Sequence, residues 1–137
     1  MREFRLKRRA EFYETDAAGI VHFTSFFRYM EEAEHALWRD AGLRIHRPES
    51  EIGWPRVSAA FEYHRPLRFE EEFEVHIRVT SVTRRAISYE CSIIRGDETI
   101  ATGKLSIVCV RRRPGLPLEP ADVPPDVRER LTADARS

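Results

Sequence analysis

The sequence predicts an α+β fold, in which one long central helix packs on an antiparallel β-sheet of five or more strands. Between about residues 24 and 41, apolar side chains recur every three or four positions, as in a helix with one buried face. A segment of partly alternating charged and apolar residues precedes this helix, and four runs rich in β-branched and aromatic residues follow it. A helix beside strands joined by short turns defines the α+β class.

The helix is predicted to run from Thr24 or Ser25 to about Ala41. A hydroxyl group at its start can accept a hydrogen bond from a first-turn amide, and Gly42 can take the left-handed conformation that ends a helix. The predicted buried face consists of Phe26, Phe27, Met30, Ala33, Leu37 and Ala41. The opposite, solvent-facing side carries Arg28, Glu32, His35 and Arg39.

The strands are predicted at residues 3–13, 54–65, 72–83, 86–95 and 99–111. Apolar and polar side chains alternate along the third of these, as in a strand with one buried face. Residues 43–53 have little periodicity and are expected to form a loop that has room for a short helical turn. A single helix covers only one face of such a sheet, and open strand edges need a partner, so association of copies is expected.

The composition fits one compact domain without a global charge. The chain has 137 residues, 42% of them apolar, and its 23 basic side chains balance 23 acidic ones. This balance argues against nucleic acid or an anionic membrane as a partner. No stretch approaches the roughly 20 apolar residues that span a bilayer, and the N-terminus lacks the apolar core of a signal peptide, so a cytoplasmic location is expected. Cys91 and Cys109 lie in separate apolar runs and are expected to be reduced.

The predicted domain covers residues 1–113. A Pro-rich tail is expected at residues 114–137, because prolines at this density end a sheet, and residues 126–131 have the pattern of a short terminal helix. The five histidines and two cysteines form no spacing typical of metal ligands, so neither a metal nor a cofactor is expected.

The loop before the helix carries the functional prediction. Asp16 is followed by Ala17, Ala18 and Gly19, which are too small to pack a core, and Gly19 permits backbone angles that other residues resist. Asp16 is therefore expected in a tight turn near the free amides and the positive dipole end of the helix, which are suited to stabilising an oxyanion. The alternative interpretation is an aspartate that only caps a turn.

Two segments resemble a known family. The motif Thr-Asp-x-x-Gly-Ile-Val at residues 15–21 runs into an aromatic-rich helix with Arg-Tyr-x-Glu, and residues 63–66 read Tyr-His-Arg-Pro. This combination is similar to the 4-hydroxybenzoyl-CoA thioesterase family of hotdog-fold acyl-CoA thioesterases, over roughly residues 3 to 111. The resemblance implies hydrolysis of an acyl-CoA or aryl-CoA to free acid and CoA. It also implies a homodimer or homotetramer, with active sites where the sheet continues from one subunit into the next.

The resemblance implies roles for single residues. The matching aspartate of these enzymes attacks the thioester carbonyl or activates water, so Asp16 is expected to be the nucleophile or general base. The residue seven positions later donates its backbone amide to the thioester oxygen, which assigns that role to Phe23. A similar basic run in a hairpin turn contacts the CoA nucleotide, which assigns phosphate binding to Arg84 and Arg85.

Other residues near the motif have more than one interpretation. Gly19 and Phe26 are expected to line the substrate site. His22 either orients Asp16 or the substrate, or is a structural histidine. The second interpretation arises because some relatives carry their histidine one position later, where this chain has Phe23. Glu31 and Glu32 form a competing site, since another thioesterase branch draws its carboxylate from the central helix. Their alternative is a solvated face with an Arg28–Glu32 pair.

Two further functions remain open from the sequence. The first is a hydratase or dehydratase acting on acyl chains carried by CoA or a carrier protein, although its longer hydration motif is missing. The second is a non-catalytic module that binds acyl-CoA in the same pocket. The identity of the acyl group is not predicted.

Overall fold

The computed structural model describes residues 1–134. Its elements in chain order are β1 (Glu3–Arg9), a 3-10 turn (Phe12–Glu14), α1 (Ser25–Asp40), β2 (Ile52–Gly53), β3 (Arg56–Tyr63), β4 (Glu72–Val82), β5 (Ala86–Arg95), β6 (Glu98–Val108), β7 (Val110–Arg111), β8 (Glu119–Pro120) and α2 (Pro125–Thr132). The main sheet has five antiparallel strands in the order β1-β4-β5-β6-β3, and β2, β7 and β8 form a small second sheet. The predicted α+β architecture is confirmed.

The core lies between α1 and one face of the main sheet. Tyr29, Met30 and Leu37 of α1 are buried against sheet residues such as Ile77 and Ile93. The predicted apolar face of α1 is buried, except that Phe27 is only partly so. Four further buried residues of α1 were not predicted, namely Tyr29, Glu34, Ala36 and Trp38. The helix is therefore enclosed on more sides than a simple apolar stripe suggests.

The two ends of α1 differ from each other. The C-terminal end of α1 agrees with the prediction, because Gly42 has a positive φ of 76° just beyond the last turn. The predicted hydroxyl cap at its start is wrong, since Thr24 makes no side-chain cap hydrogen bond. The Thr24 hydroxyl instead contacts His22 Nδ1 at 2.7 Å, and the Ser25 hydroxyl donates to the Glu14 carbonyl at 3.1 Å.

The segments flanking α1 are less regular than predicted. β1 ends at Arg9 instead of continuing to residue 13, because the Glu11 amide donates to the Glu14 carboxylate (2.8 Å) and starts a 3-10 turn. The loop at residues 43–53 contains β2 and one turn, closed by the Ser50 N–H donating to the Arg47 carbonyl at 3.0 Å, but no helix. Beyond residue 113, α2 buries Val127 and Leu131 in the core. The domain boundary at residue 113 stays a prediction.

The main sheet has two ends that matter for function. At one end lie the start of α1, the Asp16 loop and the C-terminal end of β3; we call this the Asp16 end. The β4–β5 turn and the start of β3 lie at the opposite end, which we call the Arg84 end. The 16 residues of α1 run between them and span about 24 Å.

The two edges of the main sheet are unlike. On β3 at one edge, both faces are open to solvent over residues 56–60, and Val57 is 60% exposed. On β1 at the other edge, the exposed side chains include Arg5, Lys7 and Arg9. Neither helix among the described residues has the length and apolar character needed to cross a membrane.

Cys91 and Cys109 are expected to be unreactive in the folded protein. Both are free thiols, no more than 2% exposed. Burial raises the pKa of the Cys91 thiol to about 12, which suppresses the reactive thiolate by roughly a thousandfold relative to an ordinary thiol. A thiol titration with Ellman's reagent at pH 8 should detect neither cysteine before denaturant is added and both afterwards. Fast labelling of Cys91 in a Cys109→Ser variant would contradict this prediction.

Candidate active site

Asp16 lies in a closed tight turn. Its backbone N–H donates to the Ile20 carbonyl at 2.8 Å, and its carbonyl accepts from the Gly19 N–H at 3.0 Å. Its carboxylate oxygen Oδ1 accepts from the Ala18 N–H at 2.8 Å. Gly19 has a φ of +81°, which allows the chain to reverse there. One carboxylate oxygen thus fixes the side chain, and the hydrogen bonds of residues 1–134 leave Oδ2 without a donor.

Asp16 lines a cavity of 320 Å³. The wall is built from the Asp16 loop, the start of α1 and the segment after β3. Its residues are Asp16, Ile20, Val21, Phe23, Phe26, Tyr63, His64, Arg65, Pro66 and Leu67. Asp16 is itself partly buried. The structure therefore brings together Asp16, Phe23 and Phe26, three of the residues predicted for the site.

Phe23, which lines this cavity, has a free backbone donor. Among residues 1–134, the Phe23 N–H has no hydrogen-bond acceptor, whereas its carbonyl accepts from the Tyr63 hydroxyl at 2.8 Å. The Phe23 ring is 60% exposed, so it is not a core phenylalanine. A free amide two residues before a helix adds its own dipole to that of the helix start.

His22 supports the backbone near Phe23. Its Nδ1 accepts from the Thr24 N–H at 3.1 Å, which places the proton of the neutral ring on Nε2. The His22 ring stacks on the Phe23 ring with centroids 4.6 Å apart. Within the described residues, no hydrogen bond joins His22 to Asp16. The structural interpretation of His22 fits these contacts better than the orientation of Asp16.

Arg84 and Arg85 lie at the other end of the sheet. Their Nε atoms contact Asp122 Oδ1 at 3.0 and 3.2 Å. Hydrogen bonds from Arg85 and then Arg84 lower the pKa of the Asp122 carboxyl group. Within one copy of the chain, these arginines and Asp16 do not share a cavity.

The helix carboxylates do not form the expected pair. Glu32 binds Arg8 at 2.8 Å, and Arg28 faces Glu31 at 3.9 Å, so the Arg28–Glu32 pair is wrong. Glu31 also lies 3.6 Å from Arg56. Neither glutamate lines the cavity that holds Asp16. Residues 1–134 hold no cluster of His, Cys, Asp and Glu arranged for a metal ion.

The structure adds Tyr63 and His64 to the cavity wall. Tyr63 orients the peptide after Phe23, and burial raises the pKa of its hydroxyl. His64 Nε2 lies 3.1 Å from the Thr102 hydroxyl. Both residues stand in the Tyr-His-Arg-Pro motif, so the signal was present in the sequence. Their roles were missed because the motif alone does not indicate which side of the strand faces Asp16.

Gly19→Ala is expected to lower activity more than stability. A Cβ at this position meets no atom within 4 Å, but φ is +81°, and an L-residue there costs about 1–2 kcal/mol. The strain is relieved by opening the turn that holds Asp16. The matched control is Gly96→Ala, where φ is +64° and a Cβ is equally free of contacts. Thermal unfolding and hydrolysis rates of both variants should show similar stability losses and a rate loss only for Gly19→Ala; equal rates would contradict this prediction.

The fold and the position of Asp16 together define a class of protein. One helix on an antiparallel sheet, with a carboxylate beside its start, is the hotdog architecture with the acidic loop of its thioesterases. The chain matches the model of the Thioesterase-like superfamily over residues 10–131 and belongs to that family. The predicted family membership is confirmed.

Similar proteins and a similar solved structure support this membership. A protein of Aquifex aeolicus is 35% identical over 100 residues, which cover 72% of this chain and 77% of that protein. The 1,4-dihydroxy-2-naphthoyl-CoA hydrolase of Synechococcus elongatus is 26% identical over 124 residues, covering 85% and 91% of the two chains. A solved structure of a hypothetical protein from Aquifex aeolicus superposes with a TM-score of 0.87 at 29% identity, covering 94% of this chain and 99% of that one. The predicted enzyme class, thioester hydrolase, is confirmed at the level of the family.

Proposed function

We propose that this chain hydrolyses acyl-CoA or aryl-CoA thioesters to a free acid and CoA, with Asp16 as the nucleophile or general base. The observation that carries the proposal is one cavity lined by both Asp16 and Phe23, together with the unpaired backbone N–H of Phe23. A named relative acts on 1,4-dihydroxy-2-naphthoyl-CoA, which is an aryl-CoA ester.

The geometry supports a simple reaction. Asp16 Oδ1 is held by the Ala18 amide, which leaves Oδ2 to act. As a nucleophile, Oδ2 attacks the thioester carbonyl carbon, the C–S bond breaks, CoA leaves as a thiolate that takes a proton, and water hydrolyses the resulting anhydride. As a general base, Oδ2 instead takes a proton from a water molecule that attacks the same carbon; the C–S bond then breaks, and the leaving CoA thiolate takes a proton. In both routes the Phe23 N–H donates to the carbonyl oxygen as it becomes negative, an effect of about 3–4 kcal/mol in comparable sites.

The proposed site needs two copies of the chain. Arg84 and Arg85 lie at the opposite end of the main sheet, the two ends being joined by α1 with its length of about 24 Å, and neither arginine lines the cavity of Asp16. A symmetric antiparallel pairing of two β3 edges places the Arg84 end of one copy against the Asp16 end of the other. We infer that the CoA phosphates are bound by Arg84 and Arg85 of one copy while Asp16 of the other acts on the thioester.

A thiol-release assay over aryl, short-chain and long-chain CoA esters tests this function. Stoichiometric release of CoA and free acid is expected for at least one ester class, and none for a CoA thioether that lacks the carbonyl. Consumption of an unsaturated acyl-CoA without thiol release would indicate a hydratase instead. Saturable binding without turnover across the whole panel would indicate a binding module.

A further inference from the structure

Glu14 is a buried carboxylate two residues before Asp16. It is 7% exposed, although glutamate is rarely buried without a partner. Its oxygen Oε2 accepts from Arg8 Nη2 at 2.6 Å. Its oxygen Oε1 accepts from the Tyr29 hydroxyl at 2.9 Å and from the Glu11 N–H at 2.8 Å. Both oxygens are thus held by groups from β1, the 3-10 turn and α1.

The Glu14 backbone carbonyl accepts two hydrogen bonds that tie the two sides of the Asp16 loop to each other and to α1. It accepts from the His22 N–H at 2.8 Å and from the Ser25 hydroxyl at 3.1 Å. The first bond joins the two strands of the loop that carries Asp16, next to a bridge between Thr15 and Val21. The second bond ties the same residue to the first turn of α1.

Arg8 and Tyr29 hold the Glu14 carboxylate in a fixed position; we call these three residues the Glu14 anchor. Arg8 also binds Glu32 of α1 through Nε at 2.8 Å and Nη2 at 3.0 Å, so one guanidinium joins two carboxylates. The Arg8 Cζ lies 4.9 Å from the centre of the Tyr29 ring. Burial, followed by the hydrogen bond to Glu14, raises the pKa of Tyr29, so its hydroxyl stays a donor at neutral pH. Buried ionic groups of this kind contribute little net stability, whereas their geometry is narrowly defined.

We propose that Glu14, held by Arg8 and Tyr29, is a positioning residue that fixes Asp16 and the Phe23 amide relative to each other. The two groups come from different segments, the loop and the entry to α1, and Glu14 is hydrogen-bonded to both segments. A displacement of about 1 Å between reacting groups can lower a rate by roughly a hundredfold. The proposal rests on the hydrolytic function proposed above.

Glu14→Gln and Tyr29→Phe test the proposal, with Tyr89→Phe as the matched control. Tyr89 is also a buried tyrosine whose hydroxyl is hydrogen-bonded, to Trp38 at 2.9 Å, but it lies in β5, outside the Asp16 cavity. Per folded molecule, counted by binding of a CoA thioether, kcat should fall about 10–100-fold for Glu14→Gln and less for Tyr29→Phe. KM should stay unchanged, because Glu14 does not line the cavity.

Comparing the Glu14/Tyr29 double variant with the single variants separates a positioning role from a general loss of stability. If Tyr29 acts through Glu14, the double variant should be no slower than Glu14→Gln alone, whereas Tyr89→Phe should lose melting temperature but keep kcat. Equal kcat losses per folded molecule in Tyr29→Phe and Tyr89→Phe, or an unchanged kcat in Glu14→Gln, would overturn the proposal. If the wild type releases no thiol from any ester, the hydrolytic function fails, and amide hydrogen exchange decides the positioning role. Faster exchange at residues 16–23 in Glu14→Gln than in Tyr89→Phe would support that role, and equal exchange would overturn it.

Discussion

Asp16→Asn is expected to lower kcat for CoA thioester hydrolysis by about 10²–10⁴-fold while leaving the fold intact. The asparagine side chain has the same shape, and its oxygen can still accept the Ala18 N–H that holds Oδ1 in place. An amide, however, can neither attack the carbonyl carbon nor take a proton from water. Steady-state thiol release measures the loss of kcat, and circular dichroism and thermal unfolding check that the fold is intact.

The control for this variant is Asp97→Asn. Asp97 is an exposed aspartate in the β5–β6 turn, and it does not line the cavity. The Asp97→Asn variant should keep its activity, and its free energy of unfolding should change by no more than about 0.5 kcal/mol. Full activity in Asp16→Asn would remove Asp16 from the mechanism, and a comparable loss in Asp97→Asn would indicate a nonspecific electrostatic effect.

Ala59→Pro is expected to separate the copies and to lower activity by about a hundredfold. The His64 N–H donates to the Ile100 carbonyl of β6 at 2.9 Å, so even-numbered residues of β3 point their backbone groups at β6. The N–H of Ala59 therefore points outward from the middle of the free edge. Proline removes that donor without breaking the β3–β6 ladder, and prolines are tolerated on edge strands. Analytical ultracentrifugation and thiol release measure the result.

Arg5→Pro provides the matching change on the opposite edge. The Val79 N–H donates to the Arg2 carbonyl at 2.9 Å, so the odd-numbered N–H of Arg5 also points outward, from β1. This variant should keep both its oligomeric state and its activity. An Ala59→Pro protein that remains associated and active would contradict pairing through β3.

Mixing inactive variants tests the shared site more directly. Asp16→Asn lacks the acting carboxylate, and the double variant Arg84→Ala/Arg85→Ala lacks the proposed phosphate contacts. A mixed dimer contains one site that has Asp16 from one copy and both arginines from the other. Mixing after mild dissociation should therefore restore activity at low CoA ester concentration. Absence of recovery, with mixed dimers detected by mass, would place all these residues in one copy.

Much of the fold followed from the periodicity of the sequence, because one apolar face per element fixes the helix and the strands. The loop of Asp16 was also predictable, since small residues and a glycine leave few alternatives to a turn. The Glu14 anchor was not predictable. Arg8 and Glu32 lie 24 positions apart, and both look like solvent-facing charges until the fold brings them together. The hydroxyl cap failed for a similar reason, because the His22 ring takes the Thr24 hydroxyl.

The separation of Arg84 from Asp16 also required the topology. Nothing in the spacing of these residues indicates that the β4–β5 turn and the acidic loop lie at opposite ends of one sheet. The strand order and the direction of α1 decide this. Family resemblance assigned both groups to one ligand at a subunit interface, without indicating at which end of the sheet each group lies.

The positive charges along β1 also limit how large an assembly can grow. Arg5, Lys7 and Arg9 place positive charge along β1, although Arg5 is paired with Glu74 and Arg9 with Glu11. Repulsion between the remaining like charges would oppose the pairing of two β1 edges. The proposed pairing through β3 would bury the same edge on both copies and leave only β1 strands at the outer rims. In the proposed dimer, sheet extension would therefore stop after a single step, and the assembly would be protected from fibre formation.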